Sequence, residues 1–380
     1  MARTWPADAF IREMLDTLIH KKKSITKLLS NSEHWLETFE QLRKKMDDKI
    51  IAGDGIKHMS YAKQRVDSEM TPAGRFILFF EAMLMTAITI SIERKGRVEA
   101  EEAELFLAFI TAEHVVQLGM WGELGNEVLK LARFLDTETY DLAALSERVD
   151  EFLQRIACLF TDGHVREVGY THAALRILKK TVTFRAGKAG LKSIGGAGAV
   201  SDEMFNRCLK RMQNVVALLV SIVDVEFPRW EVFMSFRVLN LNDRCGPQNK
   251  VLPRVEGVAS KDLERLATFF NLDLKALICQ FEDYVPEVIR LYKIMGAGAT
   301  WRAAWQSAVT RAARRSDMTN AHPQDQLNRL LQRYIAWCGC TTSGVEQSFG
   351  KAEWLLPKRR GKLETEAQED EVILHVDQDR

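Results

Sequence analysis

The chain has 380 residues, more than one hydrophobic core usually organises, so two or three packing units are expected. Its 46% hydrophobic and 28% charged residues are the mixture of a folded protein and argue against disorder. A formal net charge of +1 gives the whole chain no general attraction for nucleic acid, acidic substrates or membranes, so any such preference must come from local patches.

The N-terminus enters an amphipathic pattern directly, without the apolar stretch and cleavage site of a secretory signal, which points to cytoplasm or nucleus. Helices are predicted for Ala7 to Ser30 and Ser32 to Ile51, separated by Asn31 and Ser32 as break and cap. Thr71-Pro72 is read as a helix start, because threonine caps free amides and proline fits a first turn. The helix that follows, Gly74 to Arg94, contains the longest apolar run, Phe76 to Ile92, interrupted by Glu81. That run falls short of the ~20 residues that span a bilayer, so a buried helix is expected there. Further helical patterns cover Val98 to Gly119, Gly125 to Leu135 and Ser146 to Phe160, and together these segments predict an α-helical bundle over residues 1–183.

Residues 184–200 are rich in Gly and Ala and carry three cations; they read as a linker or long loop. A phosphate-cradling role is disfavoured, since neither G-x-x-x-x-G-K-[ST] nor G-x-G-x-x-G fits. A second helical region is expected over 201–320: a long helix from Asp202 to Val225, an apolar segment from Trp230 to Leu239, two helices between Ser260 and Met295 broken near Asn271 or Pro286, and a basic helix from Thr300 to Arg315. Six scattered cysteines (Cys158, Cys208, Cys245, Cys279, Cys338, Cys340) argue against a disulfide framework or a zinc site. The histidines show no metal-binding spacing, and the eight tryptophans fit core anchors.

The most specific stretch is Leu327 to Val376. An apolar helix leads into the turn Thr341-Thr342-Ser343, then the core Glu346-Gln347-Ser348-Phe349-Gly350, then the basic turn Lys358-Arg359-Arg360-Gly361-Lys362-Leu363, then an acidic and apolar end. This order of parts resembles the C-terminal segment of hAT-type DNA transposases. It departs from that family at Gln347, where Arg is usual, and at Gly350, where Ser is usual.

The resemblance implies a fold that is mainly α, an insertion-like multi-helix region with a minor β component from a partial RNase H-like core. It assigns residues 321–380 to dimerisation and to the end of that core. In the family three distant carboxylates hold two divalent metals such as Mg²⁺, which stabilise the attacking and leaving oxygens of phosphodiester cleavage. Glu346 matches the third carboxylate. The first two belong to strands, and the one echo here, Asp162 in Phe160-Thr161-Asp162-Gly163, follows helical segments and is a weaker candidate. The resemblance further implies a homodimer, with Phe349, Trp354, Leu355 and Leu356 on its interface. Lys358, Arg359, Arg360 and Lys362 are the candidate DNA contacts.

Each of these residues has a structural reading as well. Ser343 and Glu346 have the spacing of a capping box, in which each side chain meets the other's backbone amide. The basic turn precedes Glu364, Glu366, Glu369, Asp370 and Glu371, which can neutralise it. The leading expectation is therefore a transposon-derived, self-associating protein that binds DNA without being catalytically competent alone, and no cofactor is expected unless it cuts DNA. Two alternatives stand: an active cut-and-paste transposase subunit, and a helical scaffold that binds protein partners and no DNA.

Overall fold

Leu145, Val149, Phe152 and Ile156 recur at the spacing of one helix face, and all four are buried in the helix Leu145–Ile156 that carries them. The same rule builds most of the protein. The computed structural model describes residues 8–21, 23–45, 66–135, 141–226, 230–242, 255, 257–319 and 325–338. Two units organise them, one of Met1–Leu131 with Glu151–Phe227, the other of Ala132–Asp150 with Pro228–Arg380.

The first unit contains α1 (Ala9–Leu15), α2 (Ile25–Asn31), α3 (Glu33–Lys45), α4 (Val66–Leu78), α5 (Phe80–Glu93), α6 (Val98–Phe109) and most of α7 (Ala112–Leu135). It continues with the second half of α8 (Leu145–Ile156), then α9 (Gly169–Ile177), a hairpin and α10 (Asp202–Glu226). Its core is built on Trp35, Phe39, Phe76, Phe80, Trp121 and Phe160, all with essentially no exposed surface.

Several predicted helices are divided. The first breaks after a π-helical turn, Asp16–His20, where Ser24 and Thr26 turn their hydroxyls onto the Ile19 carbonyl at 2.9 and 3.2 Å. The segment expected to start at Thr71 begins instead at Val66, with Pro72 inside the helix. It bends by 74° at Phe79, which has left helical geometry and buries its ring. The segment from Val98 to Gly119 bends by 86°, because Thr111 leaves the helix and caps the next one, its hydroxyl accepting from the His114 amide at 3.2 Å. Among the described residues no single helix is long and apolar enough to cross a membrane.

Of residues 184–200, expected as a linker or long loop, those up to Ile194 are ordered as secondary structure and residues 195–200 form a loop. The former are part of an antiparallel hairpin of β1 (Val182–Arg185) and β2 (Leu191–Ile194), in register Val182 with Ile194 and Phe184 with Lys192. Phe184 and Ile194 turn into the core, and the hydroxyls of Thr183 and Ser193 pair at 2.9 Å on the other face. Lys192 reaches the end of α6, donating to the carbonyls of Leu107, Ala108 and Ile110 at 3.3, 2.7 and 2.7 Å. The hairpin is thereby fixed to the bundle. Among the described residues it is the only sheet.

The second unit holds the end of α7, the start of α8, α11 (Trp230–Ser235) with a 3₁₀ turn to Leu239, α12 (Val258–Phe270), α13 (Leu274–Met295), α14 (Trp301–Thr319) and α15 (Asp325–Cys338). The predicted break at Asn271 is present: this residue ends α12 in the left-handed conformation, φ 53°. Pro286 does not break α13; it lies on the exposed face, where water can meet the carbonyl left without an amide partner. Buried Asp141 ties the unit together, accepting from the amides of Ala143 and Arg302 at 3.0 Å each and from the Tyr334 hydroxyl. One carboxylate thus caps a 3₁₀ turn and α14 while anchoring α15.

Candidate anion-binding groove

The buried carboxylate of Glu123 in α7 accepts from the Tyr170 amide in the first turn of α9. Anions suit this end of a helix, where amides lack intrahelical partners. Gly169 stands there at φ 57°, and a Cβ at that position would lie 1.7 Å from a Glu123 oxygen. Burial raises the Glu123 carboxyl pKa above its usual range, the Tyr170 amide lowering it in opposition. The N-terminal end of α9 is therefore occupied by the protein itself.

The opposite end, where the helix dipole favours cations, carries Arg176, Lys179 and Lys180. After Ile177 the chain turns, with the amides of Lys179 and Lys180 donating to Arg176 and Ile177 carbonyls at 3.2 and 3.1 Å. Beyond β2 the loop Gly195–Gly198 folds back, and the Gly196 amide donates to the Leu178 carbonyl at 2.8 Å. Only glycine fits this approach: Gly195 has φ 79°, and a Cβ there would sit 2.0 Å from the Lys180 carbonyl oxygen. Between turn and loop lies a groove of about 670 Å³, lined among others by Arg166, Glu167, His172, Arg176 and Lys179.

The cations differ in how far they are engaged. Arg166 is held by Asp202 at 3.0 Å and lies 4.9 Å over the Phe205 ring, while Lys180, outside the groove, pairs with Glu81 at 3.1 Å. Glu167 faces His164 at 3.3 Å. Arg176, Lys179 and, on β1, Arg185 are exposed and form no ion pair with another described residue. From Val168 to Ser201 the sequence has six Lys or Arg (Arg176, Lys179, Lys180, Arg185, Lys188, Lys192) and no Asp or Glu. Sequence reasoning passed over this charge asymmetry because the cations are spread through a helix, a hairpin and a loop. Counting charge in windows of about thirty residues would have exposed it.

The strongly perturbed groups elsewhere are structural. His114 lies between the rings of Phe109 and Phe10, centroids 4.3 and 4.8 Å away, with Thr111 Oγ1 3.0 Å from Nδ1. Burial pushes it down to about 4. Burial likewise pushes the Cys208 and Cys338 thiols up to about 12, so neither is a thiolate nucleophile near neutral pH.

Asp162 lies at the exposed end of a π-helical turn, followed by Gly163 at φ 84°, and has no strand setting. Among the described residues no group of three or more His, Cys, Asp or Glu side chains could hold a metal ion. Glu346, the cations Lys358, Arg359, Arg360 and Lys362, and the apolar set Phe349, Trp354, Leu355 and Leu356 fall outside the described residues. The chain matches no family model, no curated protein and no solved structure.

Proposed function

We propose that this chain is a transposase-derived, self-associating protein that holds DNA by its phosphate backbone through residues 164–201 and does not cut it unaided. The observation that carries the reading is the run of six cations without a carboxylate from Val168 to Ser201, with Arg176, Lys179 and Arg185 exposed and unpaired among the described residues. Concentrated unneutralised charge repels itself, and a polyanion relieves that repulsion while releasing its own counterions. Backbone contact of this kind is insensitive to base sequence.

The likeness of residues 327–376 to the hAT C-terminal segment supports the transposase origin. On that basis Glu346 is the remaining member of a carboxylate set in an RNase H-like core, and Phe349, Trp354, Leu355 and Leu356 meet a second copy. The basic turn at Lys358, Arg359, Arg360 and Lys362 adds a second contact to phosphate. One matched carboxylate cannot position two divalent ions, so Mg²⁺-dependent nicking is not part of this function.

Fluorescence anisotropy of the full chain with labelled duplexes of unrelated sequence tests the proposal. Similar affinities that fall linearly as log salt rises support it. Absence of salt-sensitive binding overturns it and leaves the helical scaffold as the better reading.

A further inference from the structure

The groove at the end of α9 has more shape than a backbone contact requires. Its volume of about 670 Å³ lies in the range of pockets that enclose a small organic ligand. Its lining combines exposed Arg176 and Lys179 with the apolar residues Leu175, Leu178 and Val200. Arg176 and Lys179 both line the groove, three residues apart on a turn in which the Lys179 amide donates to the Arg176 carbonyl at 3.2 Å.

The loop supplies a second kind of donor. The amides of Ala197 and Gly198 have no acceptor among the described residues, and successive free amides in a glycine turn make a concavity for anions. Gly198 has φ 78° and open space where a Cβ would stand, so a ligand can approach its backbone closely. Opposing these donors are the carboxylates of Glu167, which lines the groove beside His164, and Asp202, which already holds Arg166.

We propose that this groove receives a single nucleoside phosphate, its phosphate held by Arg176, Lys179 and the Ala197–Gly198 amides and its base against Leu175 and Val200. The assignment rests on the reading of residues 164–201 as a phosphate-binding segment and narrows it to one ligand class. The ligand is either a free nucleotide or the phosphorylated end of a strand, since both present the same chemistry.

Calorimetric titration of the full chain with adenosine 5′-monophosphate, adenosine and inorganic phosphate tests the site. A parallel arm compares one single-stranded oligonucleotide with and without a 5′-phosphate. The monophosphate should bind at least about tenfold more tightly than adenosine or inorganic phosphate, or the 5′-phosphate should strengthen oligonucleotide binding by about tenfold, as charge-assisted contacts to one added phosphate allow. A gain with the mononucleotide identifies a free nucleotide as ligand, and a gain confined to the oligonucleotide identifies a strand end. Combined Arg176→Ala and Lys179→Ala, at exposed positions that leave the core intact, should abolish the gain. If no terminal phosphate matters in either arm, or if the double variant keeps the gain, the proposal is overturned. Binding of a duplex without terminal phosphates reports the backbone reading separately, so either reading can fail alone.

Discussion

Single buried side chains set how stability responds to pH. The pKa of His114 falls from 6.5 to about 4 because its burial between two phenyl rings disfavours the charged imidazolium. The unfolded chain then binds a proton more readily than the native one, so this contribution is complete above pH 6.5 and is lost as pH falls towards 4. The loss approaches roughly 3 kcal/mol. Denaturant midpoints at several pH values should show His114→Phe flattening that acid limb; an unchanged limb would mean that the ring is not held neutral.

Glu123 works in the opposite sense. A carboxyl raised by burial stabilises most while protonated, and its contribution declines as pH rises above its ordinary value of 4.5. Glu123→Gln keeps an acceptor for the Tyr170 amide without the charge, and should exceed the parent in stability at neutral pH. Glu123→Ala leaves that amide unpaired and should cost about 1–3 kcal/mol. Equal effects of the two substitutions in thermal unfolding would refute this account of the α9 cap.

At the scale of elements, much of the helical architecture was readable. Leu327, Leu330, Leu331, Tyr334 and Cys338 mark the buried face of α15 by spacing alone, and α12 ends at Asn271, one of the two break points the sequence offered. The bends at Phe79 and Thr111 were not readable, because the apolar pattern runs through both and only tertiary packing decides where it folds. The hairpin was hidden for another reason: four-residue strands among glycines give too short an alternation to stand out. The groove depends on that hairpin and its return loop, so it was hidden as well. The compact cluster at Lys358 to Lys362 is legible in the sequence, whereas Arg166, Arg176 and Lys179 come to line one groove only in the fold.

The same scale gives a test of how the second unit is held. Asp141 serves three donors on three elements, so Asp141→Ala should strand the Ala143 and Arg302 amides and the Tyr334 hydroxyl together. The expected loss is about 3 kcal/mol or more, against about 1 kcal/mol for Tyr334→Phe, which removes one hydroxyl and leaves two donors satisfied. Hydrogen exchange should show the amides at the start of α14 losing protection in Asp141→Ala alone. Equal protection in both variants would contradict the capping role.

For the whole molecule, a net charge of +1 conceals stretches without a carboxylate, Val168 to Ser201 with six cations and Lys358 to Leu363 with four. Such a protein is near neutral on average yet carries local fields that a polyanion can read. The most direct test is the salt dependence of duplex binding by the full chain, compared with the combined Arg176→Ala, Lys179→Ala and Arg185→Ala variant. If all three contact phosphates, the slope of log affinity against log salt should flatten by about 0.9 for each, close to 3 in total, with weakening equal across unrelated sequences. The paired variant Arg359→Ala, Arg360→Ala serves as comparison and should flatten it by about 2 at most. A triple variant with the parent's slope and affinity would contradict the assignment of residues 164–201 to DNA.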